Sequence, residues 1–210
     1  MNVLVVKANN RPDGISTKMH DTFLENIKDS EGTNVTTYDV FEEDTPYFGQ
    51  ELFSGLGKQH EGVALTELEQ RLLDAKQKAK DVVSAADVIV FAFPLWNFTI
   101  PAKLQTFVDY LAEAGFSFKY TEEGPQPLMN DKRVIFLNAR GGVYSDPSMA
   151  PMEMSLNYMR NMFGGLFGMQ VKDEVIIEGH NAQPDKADEI VQQGLEKVAE
   201  AAKNLVYQNA

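Results

Sequence analysis

The chain has 210 residues, no cysteine and a formal net charge of −12. That length suits one large α/β domain with its own core; the missing cysteine excludes disulfides, thiolate catalysis and thiolate metal sites, and fits a reducing cytoplasm. The acidity argues against nucleic acid or an anionic membrane as partner, since both are held through Lys and Arg on phosphate.

The N-terminus enters a strand at once (Val3 to Lys7) with no basic flank and long apolar run, so no signal peptide is expected. No apolar run approaches the ~20 residues needed to cross a bilayer. Pro and Gly in Ala8 to Ile15 mark a loop, and a helix follows from Ser16 with Met19, Phe23, Leu24 and Ile27 as its apolar stripe. Asn34 to Val40 reads as the second strand. From Glu42 to about Ala64 the chain is acidic and irregular, a long connection of the kind that is functional or holds short structure. Thr66 and Glu69 have the spacing of a capping box, which starts a helix running to about Ala85.

Val88 to Phe93 is apolar enough to be a third strand covered on both faces. Pro101, whose fixed φ suits a first helical turn, opens a helix with Leu104, Phe107, Val108 and Leu111 on one side. Phe116 to Tyr120 alternates aromatic and polar residues before a turn at Thr121 to Pro125, a short excursion able to overhang a site. Val134 to Asn138 is the fourth strand, a Met-rich helical stretch covers 149–163, Gln170 to Ile177 is the fifth strand, and Asp185 to Tyr207 the last helix. This alternation predicts a flavodoxin-like three-layer sandwich: a single domain over residues 1–210, with a five-stranded parallel sheet in the order 2-1-3-4-5 and helices on both faces.

In that order the loops after strands one, three and four converge. Ser16, Thr17 and Lys18 stand at a helix start, where amides, hydroxyls and the dipole suit a phosphate; Ser16 as a plain N-cap fits equally well. Pro94 to Thr99 forms a crevice wall that sets Trp96, Asn97 and Phe98 against a planar ring, or is an ordinary strand-to-helix loop around a buried Trp. Gly141 and Gly142 let backbone amides approach a ligand, or simply make a turn. The chain lacks both the G-x-G-x-x-G and the G-x-x-x-x-G-K-[ST] signatures. Taken together, the loops describe a mononucleotide with a flat ring, a shape that FMN fits.

Five segments carry a resemblance that runs essentially end to end: Val5 to Asn10, Phe93 to Pro101, Phe118 to Pro125, Asn138 to Ser145 and Glu178 to Asn181. On these residues the chain resembles the FMN-dependent NADH azoreductases, also described as FMN-dependent NADH:quinone oxidoreductases. The resemblance implies that Ser16, Thr17 and Lys18 hold the flavin phosphate, with Asn9 alongside. It likewise implies that Pro94, Leu95, Trp96, Asn97 and Phe98 line the ring, and that Ala139, Arg140, Gly141 and Gly142 offer amides to its polar edge. Many relatives end the phosphate triplet in Ser where Lys18 stands here, and an ammonium also suits a dianion.

With a flavin carrying the chemistry, no protein nucleophile or metal is required. The implied activity is ping-pong hydride transfer from NADH to quinones, giving hydroquinones, and to aromatic azo compounds, giving amines, as protection against electrophilic quinones. Phe98, Tyr120 and Tyr144 are the candidate walls for aromatic substrates, each with a core role as its alternative. The resemblance also implies a cytoplasmic homodimer with its sites at the subunit interface. Met149, Met152, Met154, Met159 and Met162 suit either such a contact or the core. A rival class is an electron-carrier flavodoxin without substrate turnover; a third is a flavin-free interaction domain. His20, His60 and His180 lack metal-site spacing, and His180 either lines the distal pocket or orders its loop.

Overall fold

The computed structural model describes residues 1–207; residues 208–210 of the expected domain lie outside them. In chain order the elements are β1 (Asn2–Lys7), α1 (Ile15–Ile27), β2 (Asn34–Asp39), α2 (Gln50–Glu61), α3 (Glu67–Ala85), β3 (Val88–Pro94) and α4 (Ala102–Leu111). A hairpin, β4 (Phe118–Thr121) and β5 (Gly124–Pro127), precedes β6 (Arg133–Arg140), α5 (Ser155–Met159), β7 (Gln170–Glu178) and α6 (Ala187–Tyr207). The central sheet runs β2-β1-β3-β6-β7 with every neighbouring pair parallel. With the hairpin set aside, this is the expected strand order.

Side-chain alternation along the strands divides the core between the two faces of the sheet. Val3, Val5, Val88, Val90 and Ala92 face Met19 and Phe23 of α1 and Val198 and Ala202 of α6. Leu4, Val6, Ile89, Phe91, Phe93 and Phe136 face the other way, against Ala79 of α3, Phe107 of α4 and Met159 of α5. Phe91 packs on Phe163 with ring centroids 4.5 Å apart. Fully burying a Phe side chain contributes about 1.5–3 kcal/mol, so this face is held chiefly by dense aromatic packing.

The long acidic connection holds short structure, one of the two expected outcomes, and two local expectations change. The acidic connection contains α2, whose Gly55 packs against Glu69 and Leu73 of α3 and whose left-handed C-cap is Gly62. The Met-rich stretch is broken: a 3-10 turn at Ala150–Met152, then α5, then a π-helix at Arg160–Leu166 in which Gly164 and Gly165 remove side-chain crowding. Its methionines divide accordingly, Met159 buried and Met149, Met152 and Met154 exposed. Finally, α1 begins at Ile15 with Gly14 as N-cap, so Ser16 is not the cap. The Thr66 capping box forms as the spacing predicts.

Candidate functional site

The register sets Lys7 opposite Ala92, Pro94 opposite Ala139, and Arg140 opposite Glu178, which brings the carboxyl ends of β1, β3, β6 and β7 side by side. Between their loops lies a cleft of about 310 Å³ lined by Asn9, Ser16, Pro94, Leu95, Trp96, Ala139, Gly141, His180 and Asn181, together with the 11–15 turn.

The first wall is built around Asn9, which is 2% exposed. Its Oδ1 accepts from the Arg11 amide at 2.9 Å, and its Nδ2 donates to Ser16 Oγ at 2.8 Å. A Cβ on Gly14 would lie 2.3 Å from that Nδ2, so only glycine allows the loop to close over Asn9. No side chain caps α1, and its positive end therefore faces the cleft with amides to offer. Thr17 Oγ1 is spent on the Arg11 carbonyl at 3.0 Å. Lys18 lines the neighbouring groove with Ile15, His180 and α6.

The second wall starts where Leu95 N donates to Ala139 O at 2.8 Å, tying the ends of β3 and β6 together. Trp96 and Thr99 exchange backbone hydrogen bonds of 2.9 and 3.0 Å, so Asn97 and Phe98 form a two-residue turn. Both have positive φ, 49° and 68°. Asn tolerates that conformation, whereas for Phe it costs about 1–2 kcal/mol. The turn is held by Met154 N, which donates to Phe98 O at 2.9 Å. Such retained strain is characteristic of ligand-binding segments.

The third wall is the β6 loop. Gly141 O accepts from the amides of Asn181 and Ala182 at 3.0 and 3.1 Å, and a Cβ on Gly141 would lie 2.3 Å from Asn181 Nδ2. Glu178 accepts from the amides of Tyr144 and Ser145 at 2.9 and 3.2 Å. The buried Arg140 guanidinium lies 3.2 Å from Glu178 and 3.8 Å from Glu153, ion-pair contacts in which its Nε is left without a hydrogen-bond partner. The Tyr144 and Phe98 rings meet edge to face at 6.3 Å. Tyr120 stands on β4, 73% exposed, with its ring against Phe118.

Sequence reasoning missed Gly14, Ile15 and Asn181 as lining residues and left His180 between two roles. The structure puts His180 on the cleft and on the adjoining groove, with its Nδ1 buried and unpartnered, and burial pushes its pKa below 6.5. The imidazole is therefore neutral at neutral pH. A phosphorylated flat-ring cofactor fits this donor set: an uncapped helix start beside a hydroxyl, a glycine turn whose Cβ would collide with Asn181, and a buried nitrogen with no protein partner. Among the described residues, no group of three or more His, Asp or Glu could hold a metal ion, and no helix is long and apolar enough to cross a membrane.

A protein family described by its flavodoxin-like fold matches residues 1–202. The chain is 46% identical over 203 residues to FMN-dependent NADH:quinone oxidoreductase 1 of Bacillus subtilis (strain 168), covering 95% of this chain and 97% of that protein. The solved azoreductase from Bacillus anthracis str. Sterne superposes with a TM-score of 0.88 at 44% identity, covering 97% of this chain and 99% of that one. An FMN-dependent NADH-azoreductase from Bacillus anthracis str. Ames Ancestor, solved in complex with FMN, gives a TM-score of 0.88 at 27% identity over 98% and 99% of the two chains.

Proposed function

The chain belongs to the flavodoxin-like family of FMN-dependent NADH:quinone oxidoreductases and azoreductases, and from that premise we propose that it binds one FMN per chain and passes electrons from NADH to quinones and aromatic azo compounds. The observation that carries the reading is the single cleft that joins the bare start of α1 to the glycine floor after β6. When bound, FMN supplies the two-electron redox chemistry.

The residues of the chain position and polarise. Ser16 Oγ already accepts from Asn9, so its own proton is free for a phosphate oxygen, and the first amides of α1 add to that seat. Lys18, at the lip of the next groove, contributes positive charge there. Backbone N–H groups of Asn97, Gly141 and Gly142 would face the polar edge of a bound flavin and offer donors to negative charge there. Leu95 and Trp96 exclude water from the cleft. Phe98 and Tyr144 are the walls against which NADH and the acceptor lie in turn, which makes the kinetics ping-pong. A quinone needs one round; cleavage of an azo bond to two amines needs two.

The reading extends to the whole chain as one FMN-binding domain. It further includes a homodimer in which Tyr120 completes an aromatic wall near the subunit boundary, and a role in the cytoplasm in removing electrophilic quinones. The exposure of Tyr120 and the absence of cysteine support these parts. Anaerobic NADH should bleach the visible absorbance of the FMN-loaded protein stoichiometrically, and a benzoquinone or an azo dye should restore it. Protein that stays colourless after FMN treatment would sink the proposal, and bound flavin that NADH leaves oxidised would point to an electron carrier instead.

A further inference from the structure

The two aromatic walls are held by one buried charge cluster. Arg140, 6% exposed in its side chain, lies between Glu178 and Glu153, with Nε 3.2 Å from the first and Nη1 3.8 Å from the second. Glu178 reaches on to the amides of Tyr144 and Ser145, and the Arg140 guanidinium lies 6.0 Å from the Tyr144 ring centroid, so the Tyr144 wall is gripped from two sides. Glu153 accepts from Ser155 N and Oγ at 3.0 and 2.6 Å and from Leu156 N at 2.8 Å, which locks the start of α5. The next residue, Met154, donates its amide to Phe98 O and so clamps the strained turn that carries the Phe98 wall.

Removing a partner from such a cluster leaves a desolvated charge uncompensated, and its geometry is therefore stiff. Both walls are referenced to the same guanidinium although Phe98 and Tyr144 belong to loops from different strands. A nicotinamide, a quinone and an aryl azo group share one property, a flat ring, and because Phe98 and Tyr144 meet edge to face at 6.3 Å such a ring lies against the pair and not between its members.

We propose that Arg140, Glu153 and Glu178 are positioning residues that hold the Phe98–Tyr144 pair in its edge-to-face arrangement, the aromatic face on which substrates lie, and thereby set the affinity of the site for planar aromatic substrates. The proposal rests on the reading of the cleft as the oxidoreductase site, but concerns ring binding and not electron transfer. Arg140→Lys keeps a cation yet lacks the fork needed to meet two carboxylates at once. Glu178→Gln keeps an acceptor for the two amides and removes only the charge, so it serves as the milder variant.

The probe is 1,4-naphthoquinone binding to the oxidised, FMN-loaded protein without NADH, measured by calorimetry well below each variant's thermal midpoint. The expected result is a Kd roughly tenfold weaker in both variants with flavin still bound, and a crystal structure of Arg140→Lys in which the Phe98–Tyr144 centroids depart from 6.3 Å. A cluster that merely stabilised the fold would lower the thermal midpoint and leave that Kd unchanged; such a result in Glu178→Gln overturns the proposal. The wild type's own response to NADH reports separately on the oxidoreductase reading, because naphthoquinone affinity is read in its absence.

Discussion

Gly141 shows how little room the site leaves. An added methyl would overlap Asn181 Nδ2 at 2.3 Å and crowd its Cγ at 2.9 Å, so Asn181 must swing away and the two amide bonds to Gly141 O must loosen. Gly141→Ala is expected to destabilise by about 1–3 kcal/mol, the usual cost of overpacking, and to weaken FMN binding in a fluorescence titration. Adding Asn181→Ala should recover most of the stability, which identifies the clash as the cause. His180 carries a pH dependence. Its pKa in the folded chain lies below the unfolded 6.5 because burial disfavours the imidazolium. Its contribution is therefore complete above pH 6.5 and is lost as pH falls from there through the folded value. Thermal midpoints recorded between pH 7.5 and about 5 should drop more steeply for the wild type than for His180→Gln; parallel curves would remove His180 from the account. The residue that crowds Gly141 is 40 positions away in the chain. The Gly-Gly pair and Glu178-Gly-His-Asn181 stand out in the sequence, but only the pairing of β6 with β7 brings Gly141 onto Asn181.

Among the elements, α2 and α3 are joined through one carboxylate. Glu69 accepts from Ser54 Oγ at 2.6 Å, from Lys58 Nζ at 2.8 Å and from the Thr66 amide at 2.7 Å, so it caps α3 and anchors α2 together. Lys58 first, then Ser54 and Thr66, hold its pKa down to about 2 from the ordinary 4.5. A depressed carboxylate pKa gives stability that is present above 4.5 and is lost as pH falls toward 2. Glu69→Gln should lower the thermal midpoint at pH 7 and detach α2 first, seen as faster amide exchange over 50–61 with α1 unchanged. The gap between variant and wild type should narrow below pH 4.5, whereas a gap independent of pH would show that the charge is not the link. The capping box was legible because it is local: two side chains at fixed spacing suffice. The helix α2 was not, because Gly55 and Gly57 read as loop residues until α3 is in place and the close approach of Gly55 to Glu69 and Leu73 explains the first of them. The strand order was legible for the opposite reason, since a run such as Val88 to Phe93 is apolar on both faces only when helices cover both. Lys18 lines the groove beside the cleft, since one helical position rotates a side chain by about 100° around the axis of α1.

For the whole molecule, the proposed homodimer must reconcile apolar attraction with charge repulsion. Met149, Met152 and Met154 are 39%, 38% and 48% exposed, and Met154 is bonded through its backbone to Phe98, itself 37% exposed. These residues put apolar surface beside the aromatic walls, where a subunit boundary would both bury it and enclose the substrate. Each chain also carries −12, so two chains repel at long range while their contact is apolar. Salt shortens the reach of that repulsion to ~8 Å at 0.15 M and leaves apolar burial nearly untouched, so the dimer should tighten as salt is added. Sedimentation equilibrium of the wild type should give a dimer whose Kd falls between low and moderate ionic strength. Met152→Glu combined with Met154→Glu places two more charges on the contact and should shift the equilibrium to monomer, with KM for NADH and quinone rising together because the enclosing partner is gone. A wild type that sediments as a monomer while turning over quinone would show that one chain completes the site alone, and the exposed methionines would then need another explanation.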